Sequence, residues 1–230
     1  MRAYKHLFFD LDRTLYDFDT NNRDALRELY ALYKLEENTG TAFDSFMEVY
    51  TGVNLSLWAD YKKNLISKEE LNLWRFEKTF GTLGITHPHP AGFAAKYLEL
   101  SPLKTRLLPG THEVLDYLGK RYRLHILTNG FEEVQYRKLD TCRLRTYFTT
   151  VITSEQAGAR KPDPAIFRYA LSVAGASPDE VLMIGDDPET DILGARQEGI
   201  DQVWLAQPGE NSPIQPTYRI GRLEELKAFL

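Results

Sequence analysis

The chain contains a single cysteine, Cys142, in 230 residues. No disulfide can form within it, so a disulfide-stapled scaffold is excluded. A lone thiol between Thr141 and Arg143 reads as structural rather than catalytic. Long apolar runs are missing too. Nothing approaches the roughly 18–20 residues needed to span a bilayer. The first residues, Met1-Arg2-Ala3-Tyr4-Lys5, carry no apolar stretch of signal-peptide length. The expectation is a soluble, cytoplasmic protein with no membrane partner. Basic runs are absent as well, and the net charge is −5. A nucleic-acid polymer is therefore not an expected partner. The five histidines, at 6, 87, 89, 112 and 125, show no metal-ligand spacing.

What is present is an ordinary globular composition, 43% hydrophobic and 27% charged. It falls into two textures. Residues 18 to 103 read as helices only. Apolar positions at 25, 26, 29, 30, 32 and 33 follow a helical period. Segments 41–51, 54–63, 67–80 and 90–98 continue the pattern, and Ser67-Lys68-Glu69-Glu70 has the form of a capping box. From residue 104 onward, short β-branched runs alternate with amphipathic helices. The runs lie at 124–128, 150–153, 181–184 and 202–205, with helices expected at 111–120, 132–139, 164–174, 188–198 and 223–230. Such alternation implies an α/β fold, a doubly wound, Rossmann-like and mostly parallel sheet. The strand at 6–9 belongs to that sheet. The expected organisation is a core of residues 1–17 and 104–230, with a helical domain, 18–103, inserted after the first strand.

Open parallel sheets bind ligands beyond the carboxyl ends of their strands, so polar residues at those ends are informative. The first strand runs Phe8-Phe9 straight into Asp10-Leu11-Asp12. Carboxylates at i and i+2 share a face of a strand. Two like charges that close are costly without a cation or proton between them. The pair therefore points to a divalent metal, or to two carboxylates with divided roles, such as a covalent nucleophile and an acid–base group. Thr128-Asn129-Gly130 ends another strand; a hydroxyl and exposed amides in such a turn can cradle phosphate oxygens. Lys161 lies before Pro162 and Pro164, just ahead of a helix start, where an ammonium can neutralise charge on a transferring phosphoryl group. Gly185-Asp186-Asp187-Pro188-Glu189-Thr190-Asp191 packs in more acids than a helix cap needs, and hard oxygen ligands suit Mg²⁺. Taken together and in order, these residues describe a phosphoryl-transfer site with a metal.

The ordered set resembles the four motifs of the haloacid dehalogenase superfamily, and the helical insertion resembles that family's cap. The resemblance implies that Asp10 is the nucleophile, and that Asp12 protonates the leaving oxygen and then activates water. It further implies that Mg²⁺ is held by Asp10, the main-chain carbonyl of Asp12 and Asp186. Thr128 and the Asn129 amide would bind phosphoryl oxygens, and Lys161 would neutralise charge. Asp191 would orient Lys161 or metal-bound water, and Asp187 would be an outer support. An acid at Asp12 favours a phosphatase over a dehalogenase, because an alkoxide leaving group needs a proton and a halide does not. Asn54 through Trp58, Tyr61 and Arg75-Phe76-Glu77 are similar to the cap of cytosolic nucleoside 5′-monophosphatases. That likeness makes Trp58, Tyr61 and Arg75 the specificity candidates, although most aromatic residues here read as packing. The expected substrate is a small phosphorylated metabolite, first of all a nucleoside 5′-monophosphate. A sugar-phosphate phosphatase or mutase is the nearest alternative. A phospho-Asp receiver module is a rival of another class, against which the helical insertion argues. Arg13 departs from the Gly or Glu usual at its position.

Overall fold

The computed structural model describes residues 3–230. Among the described residues six strands form one parallel sheet: β1 His6–Phe9, β2 Arg123–Thr128, β3 Phe148–Thr153, β4 Val181–Gly185, β5 Asp201–Leu205 and β6 Tyr218–Ile220. Their order is β3-β2-β1-β4-β5-β6, a doubly wound arrangement whose direction of winding reverses at β1. Among the described residues the α-helices are α1 Phe18–Leu32, α2 Leu35–Thr39, α3 Phe43–Lys62, α4 Lys68–Leu83, α5 Pro90–Leu100, α6 Thr111–Leu118, α7 Glu132–Thr141, α8 Ser154–Ala157, α9 Pro164–Ala174 and α10 Leu193–Gln197. The chain divides into two compact units. One runs up to Phe18 and from Thr105 to Leu230; the other is Asp19–Lys104. No helix among the described residues is long and apolar enough to cross a membrane.

The sheet is apolar on both faces because helices cover both. Leu7 and Phe9 of β1, with Leu182 and Ile184 of β4, join a core with Val114, Leu115 and Leu118 of α6. Phe8, Val181 and Met183 face the opposite core, against Ile166, Phe167 and Ala170 of α9. Alternate residues pointing to opposite faces thus turn a continuous apolar run into two half-cores. In the helical unit, Phe46 meets Phe80 at 6.3 Å and Tyr50 meets Phe76 at 5.5 Å between ring centroids, which sets α3 antiparallel to α4. The capping box of α4 is formed: Glu70 N donates to Ser67 Oγ at 3.1 Å, and Ser67 N donates to Glu70 Oε2 at 2.7 Å.

Four local expectations need correcting. Segments 41–51 and 54–63 are one helix, α3, which runs through Gly52. A helical glycine costs only about 1 kcal/mol relative to alanine, and the buried face of Phe46, Tyr50, Leu57 and Tyr61 outweighs it. The helix expected at 188–198 opens instead as a π turn, Pro188–Ile192, before α10. The Asp187 carbonyl accepts from both Asp191 N, at 2.9 Å, and Ile192 N, at 3.4 Å. The segment from Leu223 is a 3₁₀ helix, Leu223–Ala228. The edge strand β6 was not expected; with three residues, only Ile220 fully buried, it carries almost no pattern.

Two histidines are buried in the sheet. His6 Nδ1 and His125 Nε2 are 3.0 Å apart, and His125 Nδ1 is 2.7 Å from Thr150 Oγ1. Burial, with His6 and Arg123 nearby, pushes His125 down to about 4. A depressed folded-state value means that the unfolded chain binds the proton first, so stability is lost as pH falls from about 6.5 towards 4. Between pH 7 and 4.5 the His125 contribution is on the order of 2 kcal/mol. Urea unfolding at both pH values is expected to show a smaller loss in His125→Gln than in the parent chain.

Candidate active site

The residues singled out by their places at strand ends come together beside β1, where the strand order reverses. Asp10 follows β1 and takes a backbone bond from its own N–H to Ile184 O of β4 at 2.9 Å. Lys161 comes from the turn before α9. Its ammonium is 2% exposed and donates three bonds: to Asp10 Oδ1 at 2.6 Å, to Asp191 Oδ1 at 2.6 Å and to Leu127 O at 2.8 Å. Three donors meet three acceptors, so this buried charge is fully satisfied. Asn129 fixes the lysine's backbone from both sides: Asn129 Nδ2 donates to Lys161 O at 2.9 Å, and Lys161 N donates to Asn129 Oδ1 at 2.8 Å. The Asn129 side chain is thus a clamp, a job its strand-end position alone did not reveal.

Asp191 reaches Lys161 because the π turn brings its carboxylate over Gly185. A Cβ at Gly185 would come within 2.2 Å of Asp191 Oδ2, so glycine is required by close approach. Asp187 serves as the cap of that turn: its Oδ1 accepts from Glu189 N at 2.9 Å and Thr190 N at 3.2 Å. Asp186 accepts from Thr14 Oγ1 at 3.3 Å, and its carbonyl accepts from Trp204 Nε1 at 2.9 Å. Arg13 adopts a left-handed conformation, φ 62°. This backbone suits glycine best. The Arg13 guanidinium lies 4.8 Å from the Phe18 ring centre.

One ligand atom each from Asp10, Asp186 and Asp191 lie within 4.8 Å of one another. Burial pushes Asp10 up to about 7, opposed by Lys161 and reinforced by Asp191. Burial and then Asp10 and Asp191 raise Asp186 well above the usual carboxylate range. Burial works to lower Lys161, but Asp10 and Asp191 outweigh it and hold the ammonium above its ordinary value. Three crowded carboxylates share one lysine. The negative surplus and the hard oxygen donors fit a divalent cation such as Mg²⁺. The Asp12 side chain is not in this group. Its Oδ1 pairs with Lys138 Nζ at 2.6 Å and its Oδ2 accepts from Gln135 Nε2 at 3.0 Å. Thr128 Oγ1 accepts from the same Gln135 nitrogen at 2.7 Å. Gln135 and Lys138 were not expected. In sequence they are polar residues of an amphipathic helix, and only their spacing of three after the Thr128 turn marks them.

In the helical unit, Tyr61 is buried with its ring against Trp58, centroids 5.5 Å apart, while Trp58 is half-buried. Arg75 is buried between Phe76 and Tyr97, and Phe43, Phe46, Tyr50 and Phe76 belong to the unit's core.

A doubly wound sheet with an acidic cluster around a buried lysine at its switch point defines a hydrolase of a recognisable class. The family model of haloacid dehalogenase-like hydrolases matches residues 4–199, and the chain belongs to that family. It is similar to the pyrimidine 5′-nucleotidase YjjG of Escherichia coli, 34% identical over 97% of this chain and 96% of that protein. It is similar also to the pyrimidine 5′-nucleotidase PynA of Streptococcus pneumoniae, 34% identical over 97% of this chain and 93% of that protein. Among solved structures, the HAD-hydrolase YfnB of Bacillus subtilis bound to magnesium is 29% identical, covers 99% of each chain and superposes with a TM-score of 0.89.

Removing one partner of a buried ion pair costs about 3–5 kcal/mol. Lys161→Met should destabilise the metal-free protein by about that amount in urea unfolding, and adding Asp191→Asn should recover part of the loss. A loss under about 1 kcal/mol would mean that the ammonium does not hold the cluster together.

Proposed function

We propose that the chain is a Mg²⁺-dependent phosphomonoester hydrolase working through an aspartyl-phosphate, with pyrimidine nucleoside 5′-monophosphates as substrates. The observation that carries the chemistry is the Asp10–Lys161–Asp191 cluster with Asp186 beside it. The substrate class is supported by near-complete alignment with two pyrimidine 5′-nucleotidases.

Asp10, Asp186 and the Asp12 carbonyl would hold the ion, which when bound polarises and neutralises phosphoryl oxygens. An Asp10 carboxylate oxygen attacks phosphorus, and the ester P–O bond breaks. The departing oxygen takes a proton from Asp12, and the nucleoside leaves. Water then attacks phosphorus and gives its proton to Asp12. The phosphorus–Asp10 bond breaks, which restores the carboxylate and frees inorganic phosphate. Thr128 and the Asn129 amide bind phosphoryl oxygens. Lys161 offsets their charge from a seat fixed by Asn129, Asp191 and Leu127 O. Asp191 orients Lys161, and Asp187 shapes the turn that presents Asp191. The helical domain selects the leaving group, with Trp58, less buried than Tyr61 or Arg75, the foremost contact candidate.

A panel of phosphomonoesters at fixed Mg²⁺, read by phosphate release, tests this. Uridine and thymidine 5′-monophosphates should rank above sugar phosphates, chelation should abolish turnover, and added Mg²⁺ should restore it. Asp10→Asn should lower the rate at least a thousandfold; near-normal turnover in that variant would refute the covalent route.

A further inference from the structure

Asp12, the proposed proton-transfer group, is gripped at both oxygens by α7. Lys138 Nζ takes Oδ1 at 2.6 Å and Gln135 Nε2 takes Oδ2 at 3.0 Å. The two donors are three positions apart and so share a helix face. Neither is a surface group: Lys138 is 5% exposed and Gln135 is fully buried. A buried ammonium is costly unless it is paired. Lys138 is seated accordingly, with Tyr16 and Phe18 ring centres 4.8 and 5.4 Å from its nitrogen.

Gln135 makes a second contact with the same nitrogen, to Thr128 Oγ1 at 2.7 Å, and Gly130 N donates to that oxygen at 3.1 Å. Two donors occupy the hydroxyl's two lone pairs, so its own hydrogen must point elsewhere and donate. That is the polarity a phosphoryl oxygen requires. Gln135 Oε1 is buried with no partner among the described residues. Gly130 preserves the geometry, since a Cβ there would lie 2.3 Å from Gln135 Nε2. Both amide hydrogens of Gln135 are thereby committed to Asp12 and Thr128, with Gly130 leaving the room they need.

We propose that Gln135 and Lys138 are positioning residues for the reaction. Lys138 fixes the Asp12 carboxylate, and Gln135 ties it to the Thr128 hydroxyl, so the proton-transfer group and the phosphate-binding donor are held as one piece. The inference rests on the proposed role of Asp12. It makes protonation of the leaving oxygen, as the ester P–O bond breaks and the bond to Asp10 forms, dependent on the helix that carries Gln135 and Lys138.

The test is kcat/KM, which reports events through leaving-group departure, for p-nitrophenyl phosphate, less activated aryl phosphates and uridine 5′-monophosphate. General acid catalysis is typically worth 10²–10⁴-fold. Misplacing the acid should forfeit about tenfold to a hundredfold of that for uridine 5′-monophosphate. Lys138→Met should show this loss, less than about threefold loss for p-nitrophenyl phosphate, and unchanged inhibition by inorganic phosphate. Lys138→Arg should recover most of the loss. Gln135→Glu, which sets a carboxylate against Asp12, should weaken inhibition by inorganic phosphate as well. Thermal melts check folding, with Lys138→Gln as the substitute if the methionine variant unfolds. An equal loss on every substrate, or none, overturns the proposal. Asp12→Asn separates the two readings. A steep leaving-group dependence there but not in Lys138→Met refutes the positioning role alone. A dependence unchanged from the parent chain refutes the role of Asp12 and this inference with it, as would a parent chain that turns over no phosphomonoester.

Discussion

The site depends on one buried ammonium. Lys161 joins the end of β1, the carbonyl of Leu127 in β2 and the turn after β4, three parts of the chain that share no local sequence. Each bond has a geometric precondition. Asp191 meets it only because the chain after β4 takes a π turn and because Gly185 has no side chain in the way. Asp10 meets it because β1 lies between β2 and β4. The lysine's own backbone is set by Asn129. Charge, topology and local backbone conformation therefore converge on a single nitrogen atom. A cluster of this kind has little tolerance for rearrangement, since a buried charge deprived of one partner is strongly destabilising.

A second, separate constraint organises the surroundings of Asp12. Asp12 is two residues from Asp10 but belongs to a different network, whose other members are Gln135, Lys138 and Thr128. The two carboxylates begin as near-equivalents in sequence and end in distinct environments. One is enclosed with a lysine and two further acids; the other is partly exposed, with a 24% accessible side chain, and gripped from a helix. Unequal surroundings for paired carboxylates are how one site supports both nucleophilic and proton-transfer chemistry.

Much of this was legible in the sequence, for identifiable reasons. Asp10, Thr128 and Asp186 stand where apolar strands stop, and the parallel topology brings such strand ends to one edge. Lys161 was legible through the prolines that flank it. Gln135 and Lys138 were not. On an amphipathic helix these residue types usually face water, and only tertiary packing against Tyr16, Phe18 and Asp12 turns them inward. The π turn escaped notice because periodicity does not separate it from an α-helix over so few residues. Tyr61 and Arg75 carry polar groups that in sequence could face a ligand, yet both are packed within the chain.

The placement of β1 bears on how the chain is made. Its partners, β2 and β4, lie beyond residue 122 and residue 180, so the central strand emerges first from the ribosome and waits longest to be paired. Four consecutive apolar or aromatic-like residues, His6 to Phe9, must be kept from other strands meanwhile. The helical unit has a core of its own, which joins α1 to α3, α4 and α5, and contacts within such a unit are closer in sequence than those of β1 with β2 and β4. A self-contained body thus lies in sequence between the key strand and the strands that enclose it.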